Sequence, residues 1–372
     1  MIKLNRYLIW SLFVSFAFLT GSTVNTSDLI KVTKKDFPKI VKIKGEEILT
    51  NDYNHHHHIF VIGDYLLTLV NSGDFHYHVF DKKSQKYLGP VGIRGEGPNE
   101  WEIPQTTLGQ FEKTKDGIKI CNFDFLRGNF NKINLTKTLG SKSAKPIIEN
   151  TTRINMREFP FFQLFQGSNG RIYANSSIFE VNRVRLKSFN PSDKSIKKSE
   201  LFPKVKNSNH LPSEILNSLY GASFDKHPSK DKFVQAMFMF NRIDIFDENL
   251  NVTKSIVDGL NWQDGFYDGK EIDPTKDFLS PKVDGFDGLA AGENFIFAVE
   301  AKKYIANQKP KENETFIRVY NWDGKPLAYL EIAHDLSSID VDETNGVIYA
   351  TDYEYELVLR FNISQLIKEW SK

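Results

Sequence analysis

The sequence predicts an all-β chain that folds as a six-bladed β-propeller of four-stranded antiparallel blades. Its 372 residues include 30 Phe and 14 Tyr, side chains that favour strands. A short strand that ends in an apolar residue followed by Asp or Asn recurs six times. The apolar residues of the six copies, which lie 41 to 74 residues apart, are Phe80, Ile133, Phe189, Phe246, Tyr320 and Phe361. About four strands per repeat, at periods of about 40 residues or more, are typical of a propeller.

The strands around each copy predict the rest of a blade. Each copy follows another strand that often opens after a Gly or Asp turn, as in "GIKICNF" and "GVIYATD". The last copy has no fourth strand before the chain ends at "ISQLIKEWSK", whereas "FPKIVKIKG", from Phe37 to Gly45, is a strand without a blade. We expect this N-terminal strand to complete the last blade and close the ring, because closure removes exposed sheet edges.

Composition limits the classes of function. The chain carries 48 Lys and Arg against 47 Asp and Glu, and this balance argues against nucleic acid as a partner. Its hydrophobic fraction of 40% is enough to bury a core. The only cysteine is Cys121, so no internal disulfide can form. No Pro, Gly or Ser linker divides the chain, which predicts one propeller domain.

The N-terminus has the pattern of an export signal. Lys3 and Arg6 precede the apolar run from Tyr7 to Leu19, and small or polar residues follow it. The run is shorter than the about 20 apolar residues that span a bilayer, although a short uncleaved membrane anchor is the alternative. We therefore predict a signal peptide over 1–23, a linker over 24–36 and the propeller over 37–372. The protein would then be exported to the periplasm or beyond, and membrane-associated if the segment is retained.

The stretch "GIRGEGPNEWEIP", from Gly92 to Pro104, connects the outer strand of the first blade to the second blade. Its glycines favour a turn of demanding shape, and we expect a positive φ at Gly97. A phosphate-binding loop would need a following helix and a Lys-Ser/Thr ending, and neither is present. The stretch is therefore interpreted as a structural crossing between blades.

This connector resembles the "G-x-G-x-G-P-G-E-F-x-x-P" string of NHL-type repeats. It is more similar still to the connector of the secreted TolB-like six-bladed propellers of Gram-negative bacteria. Asn99 stands where that family usually has a second glycine, and Trp101 replaces the usual Phe or Tyr. The resemblance extends over the six-unit layout from about Phe37 to Ser364. The positions that match the connector are Gly95, Gly97, Pro98, Glu100, Trp101 and Pro104.

Residues at the start of each inner strand are expected to reach the mouth of the central channel, because inner strands line the channel of a propeller. Arg94 in the connector can swing its guanidinium over the same face to bind a carboxylate or phosphate, or form a salt bridge with Glu96 or Glu100. The ligand-binding residues predicted in the six blades are His56, His58, Gln105, Thr106, Gln163, Ser223, Asp287 and Ser337.

Metal-dependent catalysis is the alternative interpretation of the channel. The run from His55 to His58 can supply imidazoles, yet strand alternation sends them to two sides and a zinc site needs convergent ligands. Six-bladed lactonases similar to gluconolactonase hold a divalent ion with a Glu, two Asn and an Asp, a set that has no clear counterpart here. The sequence also lacks a serine-hydrolase "G-x-S-x-G" elbow. We assign no catalytic residue, metal ligand or cofactor.

The sequence therefore predicts a secreted, monomeric, non-enzymatic propeller that binds at its channel mouth. Its expected partner is a cell-envelope protein or an extracellular glycan or peptide. The alternative is a metal-dependent, lactonase-like hydrolase that acts in the same channel with a divalent ion.

Overall fold

The structure is a computed structural model in which part of the chain is described. The described residues are 28–49, 56–105, 109–177, 180–200, 202, 212–213, 216–217, 220–238, 240–258, 285–300, 315–352 and 357–372. The predicted signal segment, His55 and Thr106 lie outside these ranges.

Six sheets are arranged as the blades of an all-β propeller, and this confirms the predicted fold class. The strands before the first blade are β1 (Asp28–Lys31), β2 (Ile40–Ile43) and β3 (Glu46–Ile48). The first blade contains β4 (His56–Ile62), β5 (Tyr65–Val70), β6 (Phe75–Asp81) and β7 (Tyr87–Ile93). The second contains β8 (Pro104–Gln105), β9 (Phe111–Thr114), β10 (Gly117–Asp124), β11 (Asn129–Asn134) and β12 (Ile148–Arg153). The third contains β13 (Phe161–Gln166), β14 (Ile172–Ser176), β15 (Leu186–Phe189) and β16 (Ile196–Ser199).

The remaining three blades follow in chain order. The fourth contains β17 (Ala222–Lys226), β18 (Phe233–Met237), β19 (Arg242–Phe246) and β20 (Val252–Val257). The fifth contains β21 (Phe286–Ala291), β22 (Phe295–Glu300), β23 (Thr315–Asn321) and β24 (Pro326–Ile332). The sixth contains β25 (Leu336–Asp342), β26 (Val347–Asp352) and β27 (Val358–Asn362). The short helices whose bounds lie within the described ranges include a 3-10 turn (Lys34–Asp36), α1 (Leu135–Gly140) and α2 (Ser364–Trp370). Within the described ranges, no helix is both long and apolar enough to cross a bilayer.

Aromatic and branched side chains fill the space between neighbouring blades. Between the third and fourth blades, the rings of Tyr173 and Phe233 lie 4.5 Å apart, and Phe224 stacks on Phe233 at 5.6 Å. All three side chains are buried, since strand alternation turns them away from solvent. Packing of this kind fixes the blades around the channel and so positions the inner strands.

The N-terminal segment runs along three blades, and its pairing corrects one prediction. The outer strand of the sixth blade is β3, which pairs antiparallel with β27 and places Ile48 opposite Val358. The predicted strand, Phe37–Gly45, lies elsewhere: β2 pairs parallel with β24 as a fifth strand of the fifth blade. Phe37 explains this placement, because its buried ring packs on Tyr320 and Tyr329 of that blade, at 5.4 and 5.7 Å. In the same way, β1 pairs parallel with β20 of the fourth blade.

The connector between the first two blades is a tight turn around one carboxylate. Glu100 accepts the N–H of Gly97 at 2.9 Å, and a Cβ on Gly97 would lie 2.8 Å from the Glu100 carboxyl group. The expected positive φ at Gly97 is wrong, because this glycine is needed for space and not for its backbone angle. Positive φ occurs instead at Gly92 (+79°), Gly95 (+155°) and Asn99 (+61°), and Asn tolerates the left-handed region.

Candidate functional site

Side chains of the inner strands hydrogen-bond to the inner strand of the next blade. Gln163 on β13 accepts the N–H of Phe224 at 2.7 Å, and Asp225 on β17 accepts that of Ala291 at 2.7 Å. Asp340 on β25 accepts the N–H of Val61 at 2.7 Å and so joins the last blade to the first. These bonds tie adjacent walls of the channel and satisfy backbone groups that would otherwise face it.

A narrow cavity of about 130 Å³ occupies the end of the channel where the inner strands begin. Its wall brings together five of the predicted residues, each from a different blade: His58, Gln163, Ser223, Asp287 and Ser337. The ladder register shifts at the start of β13, β21 and β25, where Gln163, Asp287 and Ser337 lie. Such β-bulges re-aim side chains and are common next to binding sites.

The other predicted residues do not share this wall. His56 is buried with its ring 6.2 Å from that of Phe80, because a register shift between His56 and His58 breaks the alternation that would have put both on one side. The guanidinium of Arg94 donates to the carbonyl of Val70, and Arg94 is not part of this wall. Gln105 is placed only by its backbone, opposite Phe123, and Thr106 lies outside the described residues.

A second and wider cavity, of about 600 Å³, opens at the end of the channel where the inner strands finish. This volume is within the range of about 300–1,000 Å³ that is usual for ligand sites. Its wall includes the turn after β25, the turn after β17 and the exposed ring of Phe111 on β9. The five predicted residues that line a cavity lie at the opposite end of the channel, so sequence reasoning missed this cavity.

Two carboxylates, Asp225 and Asp340, line both cavities and mark their junction. Burial raises the pKa of Asp225 to about 7, and the nearby Asp340 adds to the rise. Burial also raises the pKa of Asp340 to about 7, with a further contribution from Asp342. Both side chains accept backbone N–H groups that favour the ionised form, but the loss of hydration outweighs them.

His58, on the inner strand of the first blade, is neutral at physiological pH. Burial, and then the neighbouring His57, lower the pKa of His58 to about 4. The carbonyl of His57 accepts the hydroxyl of Thr351 at 3.0 Å, which fixes the backbone at this point. In the described ranges, no three His, Cys, Asp or Glu side chains converge closely enough to hold a metal ion.

We expect the two channel carboxylates to make stability depend on pH. Their pKa values are raised on folding, so their contribution is fully present below about pH 4 and is lost as the pH rises through about 7. His58, whose pKa is lowered, acts in the opposite direction between about pH 4 and 6.5. Urea denaturation of the wild type and of an Asp225→Asn/Asp340→Asn variant at about pH 5 and pH 8 separates these effects. Relative to the variant, the wild type should lose stability at the higher pH; a constant difference would contradict the assignment.

Comparison with known proteins agrees with this architecture. The family described as TolB-like 6-blade propeller-like matches residues 36–344, which is most of the sequence. The chain belongs to the TolB-like six-bladed propeller family. The predicted resemblance to these propellers is thereby confirmed, whereas no curated protein matches the chain.

Solved structures similar to this TolB-like propeller include two from Bacteroides species. A member of the DUF4221 family from Bacteroides vulgatus has 11% sequence identity and a TM-score of 0.56, and the match covers 86% of this chain and 95% of that one. An exported-protein candidate from Bacteroides fragilis has 13% identity and a TM-score of 0.52, with coverage of 90% and 99%. At these identities the likeness establishes the fold alone.

Proposed function

We propose that this TolB-like propeller is an exported, non-enzymatic binding protein that takes its ligand in the central channel. The partner is a cell-envelope protein or an extracellular peptide or glycan, a segment of which enters the channel. The protein acts as a monomer, without a cofactor and without nucleic acid. The observation that carries the proposal is the wide cavity, which combines a ligand-sized volume with charged side chains supplied by several blades on an otherwise largely apolar wall.

Export is supported by the N-terminal sequence. A positive start, an apolar run and a small-residue exit precede the first described strand. One solved structure of similar fold is from a protein named as an exported-protein candidate. An exported protein meets envelope components and extracellular polymers, which is the class of ligand proposed.

Binding is tested with arrays of envelope-protein peptides and of glycans, using the wild type and two cavity-filling variants. Thr344 is exposed on the rim of the wide cavity, so Thr344→Trp should obstruct that cavity without disturbing the core. Ser223→Phe fills the narrow end instead. We expect at least one ligand class to bind the wild type, to bind Ser223→Phe within about threefold, and to lose at least about tenfold in affinity with Thr344→Trp.

Two results would contradict the proposal. One is the absence of binding to every peptide and glycan by a folded wild-type protein. The other is turnover of lactone substrates that Thr344→Trp or Ser223→Phe abolishes, since that would make the channel a hydrolase site.

A further inference from the structure

The wide cavity has an excess of carboxylates in its wall. The acidic side chains that the described residues contribute to it are Asp64, Asp225, Glu293, Asp340, Asp342 and Glu343. The basic ones are Lys82, Lys113 and Lys226. A wall with twice as many carboxylates as ammonium groups attracts cations and repels anions.

Each lysine of this wall already has a carboxylate partner. Lys82 lies 2.6 Å from Asp342, and Lys113 lies 3.4 Å from Asp64. Lys226 reaches out of the cavity to Asp231, at 3.5 Å, and donates to the carbonyls of His227 and Lys230. The cations of the wall are therefore engaged, which leaves an anionic ligand no ready partner.

Four carboxylates of the wall contact neutral donors instead. Asp225 and Asp340 accept only backbone N–H groups among their described hydrogen bonds, and Glu343 accepts those of Asn294 and Phe295. The hydroxyl of Ser229 donates to Glu293. His227 lies 3.9 Å from Glu293, but burial lowers the pKa of this histidine, so it is neutral at physiological pH. Within the described part of the chain, no Lys or Arg comes within ion-pair distance of these four groups.

An aromatic ring independently indicates a cationic ligand. Phe111 stands in the wall of the cavity with 41% of its surface exposed, although most large apolar side chains of this fold are buried. An exposed ring beside carboxylates is the arrangement that binds alkylammonium groups, because the face of the ring is electronegative.

We propose that the wide cavity binds its ligand through a primary ammonium group, which enters from the open end and lies over the carboxylates of Asp225 and Asp340. The proposal rests on the function proposed above and specifies the chemistry of the ligand. A lysine side chain and an amino sugar both supply this group. The raised pKa values of the two aspartates support the proposal, since a bound cation would replace the hydration that burial removes.

Calorimetry with matched probes tests this chemistry. The peptide acetyl-Gly-Gly-Lys-Gly-Gly-amide is compared with its acetyl-lysine counterpart, and a glucosamine tetramer with its N-acetylated form. We expect at least one ammonium probe to bind and its acetylated partner not to bind. If only the peptide or only the amino sugar binds, that result identifies whether the natural ligand supplies its ammonium group from a lysine or from an amino sugar. Failure of both ammonium probes, or equal binding of an acetylated partner, would overturn the proposal.

Variants locate the binding site. Asp225→Asn and Asp340→Asn should each weaken binding of the ammonium probe by at least about tenfold, as expected when one member of a desolvated charge pair is removed. Asp323→Asn makes the same change of charge on an exposed turn outside the cavity, and should alter the affinity by less than about twofold. Equal losses in all three variants would overturn the assignment to the cavity.

The wild type alone provides a second test, which does not depend on how the variants fold. Asp225 and Asp340 face Lys82, Asp342 and Lys226, and they take up protons below about pH 7. Affinity for the lysine peptide, whose ammonium group stays protonated over this range, should fall by at least about tenfold between about pH 8 and pH 6; an unchanged affinity would contradict the proposal. For the amino sugar the affinity is expressed per protonated amine, because its amino group titrates in the same range. One result distinguishes the two proposals. If an uncharged ligand from the arrays binds the wild type but not Thr344→Trp, the proposed function stands and only the ammonium chemistry is overturned.

Discussion

Asp244→Ala should destabilise the protein by about 3–5 kcal/mol. Asp244 is fully buried on β19, where Arg242 donates to it at 2.9 Å and the guanidinium of Arg185 forms a further ion pair. Burial alone would raise the pKa of Asp244, but the two arginines outweigh it and lower the pKa. Without the carboxylate, two buried guanidinium groups lose the anion that offsets their desolvation.

The free energy of unfolding in urea measures this effect, with Asp64→Ala as the matched control. Asp64 also pairs with a lysine, Lys113, but both side chains are about 70% exposed, so the control should cost less than about 1 kcal/mol. An Asp244→Ala variant no less stable than the Asp64→Ala variant would contradict the role given to the buried network.

Gly92→Ala should lower the free energy of unfolding by about 3 kcal/mol, the second largest loss of stability predicted for this protein after that of Asp244→Ala. Gly92 has a φ of +79°, and a Cβ at this position would lie 2.3 Å from the ring of Trp101. Trp101 is buried beneath the connector and has little freedom to move. The substitution therefore combines backbone strain with an overpacked ring.

Gly73→Ala is the control for the backbone term. Gly73 has a similar φ of +83°, but none of the described atoms lies within 4 Å of the position that an alanine Cβ would take there, so only about 1 kcal/mol should be lost. Thermal denaturation of both variants, and of Gly92→Ala combined with Trp101→Leu, separates the terms. If Trp101→Leu does not reduce the loss of stability caused by Gly92→Ala, a clash with Trp101 is not the cause of that loss.

The fold was predictable from the sequence because each blade repeats the same strand pattern. Phe246 and Phe361, for example, lie at the ends of strands whose apolar side chains are buried between blades. Because this burial requires apolar residues at fixed positions, the repeated strand pattern is visible in the sequence. The strand that completes the sixth blade was assigned to the wrong segment. Phe37–Gly45 has a stronger strand pattern than Glu46–Ile48, but the contacts of Phe37 with the fifth blade decide its position.

The candidate site was predictable only in part, for geometric reasons. Ser223 and Ser337 were found because every inner strand begins at the same end of the channel. Strand alternation predicted that His56 faces the channel together with His58. This prediction is wrong because β4 has a bulge between the two residues, which the sequence pattern does not reveal. Asp225 and Asp340 were missed as a pair, since they lie on different blades and only the closed ring brings them to one cavity.

A crystal structure of the protein grown with acetyl-Gly-Gly-Lys-Gly-Gly-amide, or with the glucosamine tetramer if that is the probe that binds, tests the central claim most directly. The claim is that the wide end of the channel is the ligand site. We predict electron density for the ligand in the cavity beside Phe111, with its ammonium nitrogen within about 3.2 Å of the carboxylate oxygens of Asp225 or Asp340. Density for the ligand at the narrow end of the channel, or on the outer surface with the wide cavity free of ligand, would contradict the account.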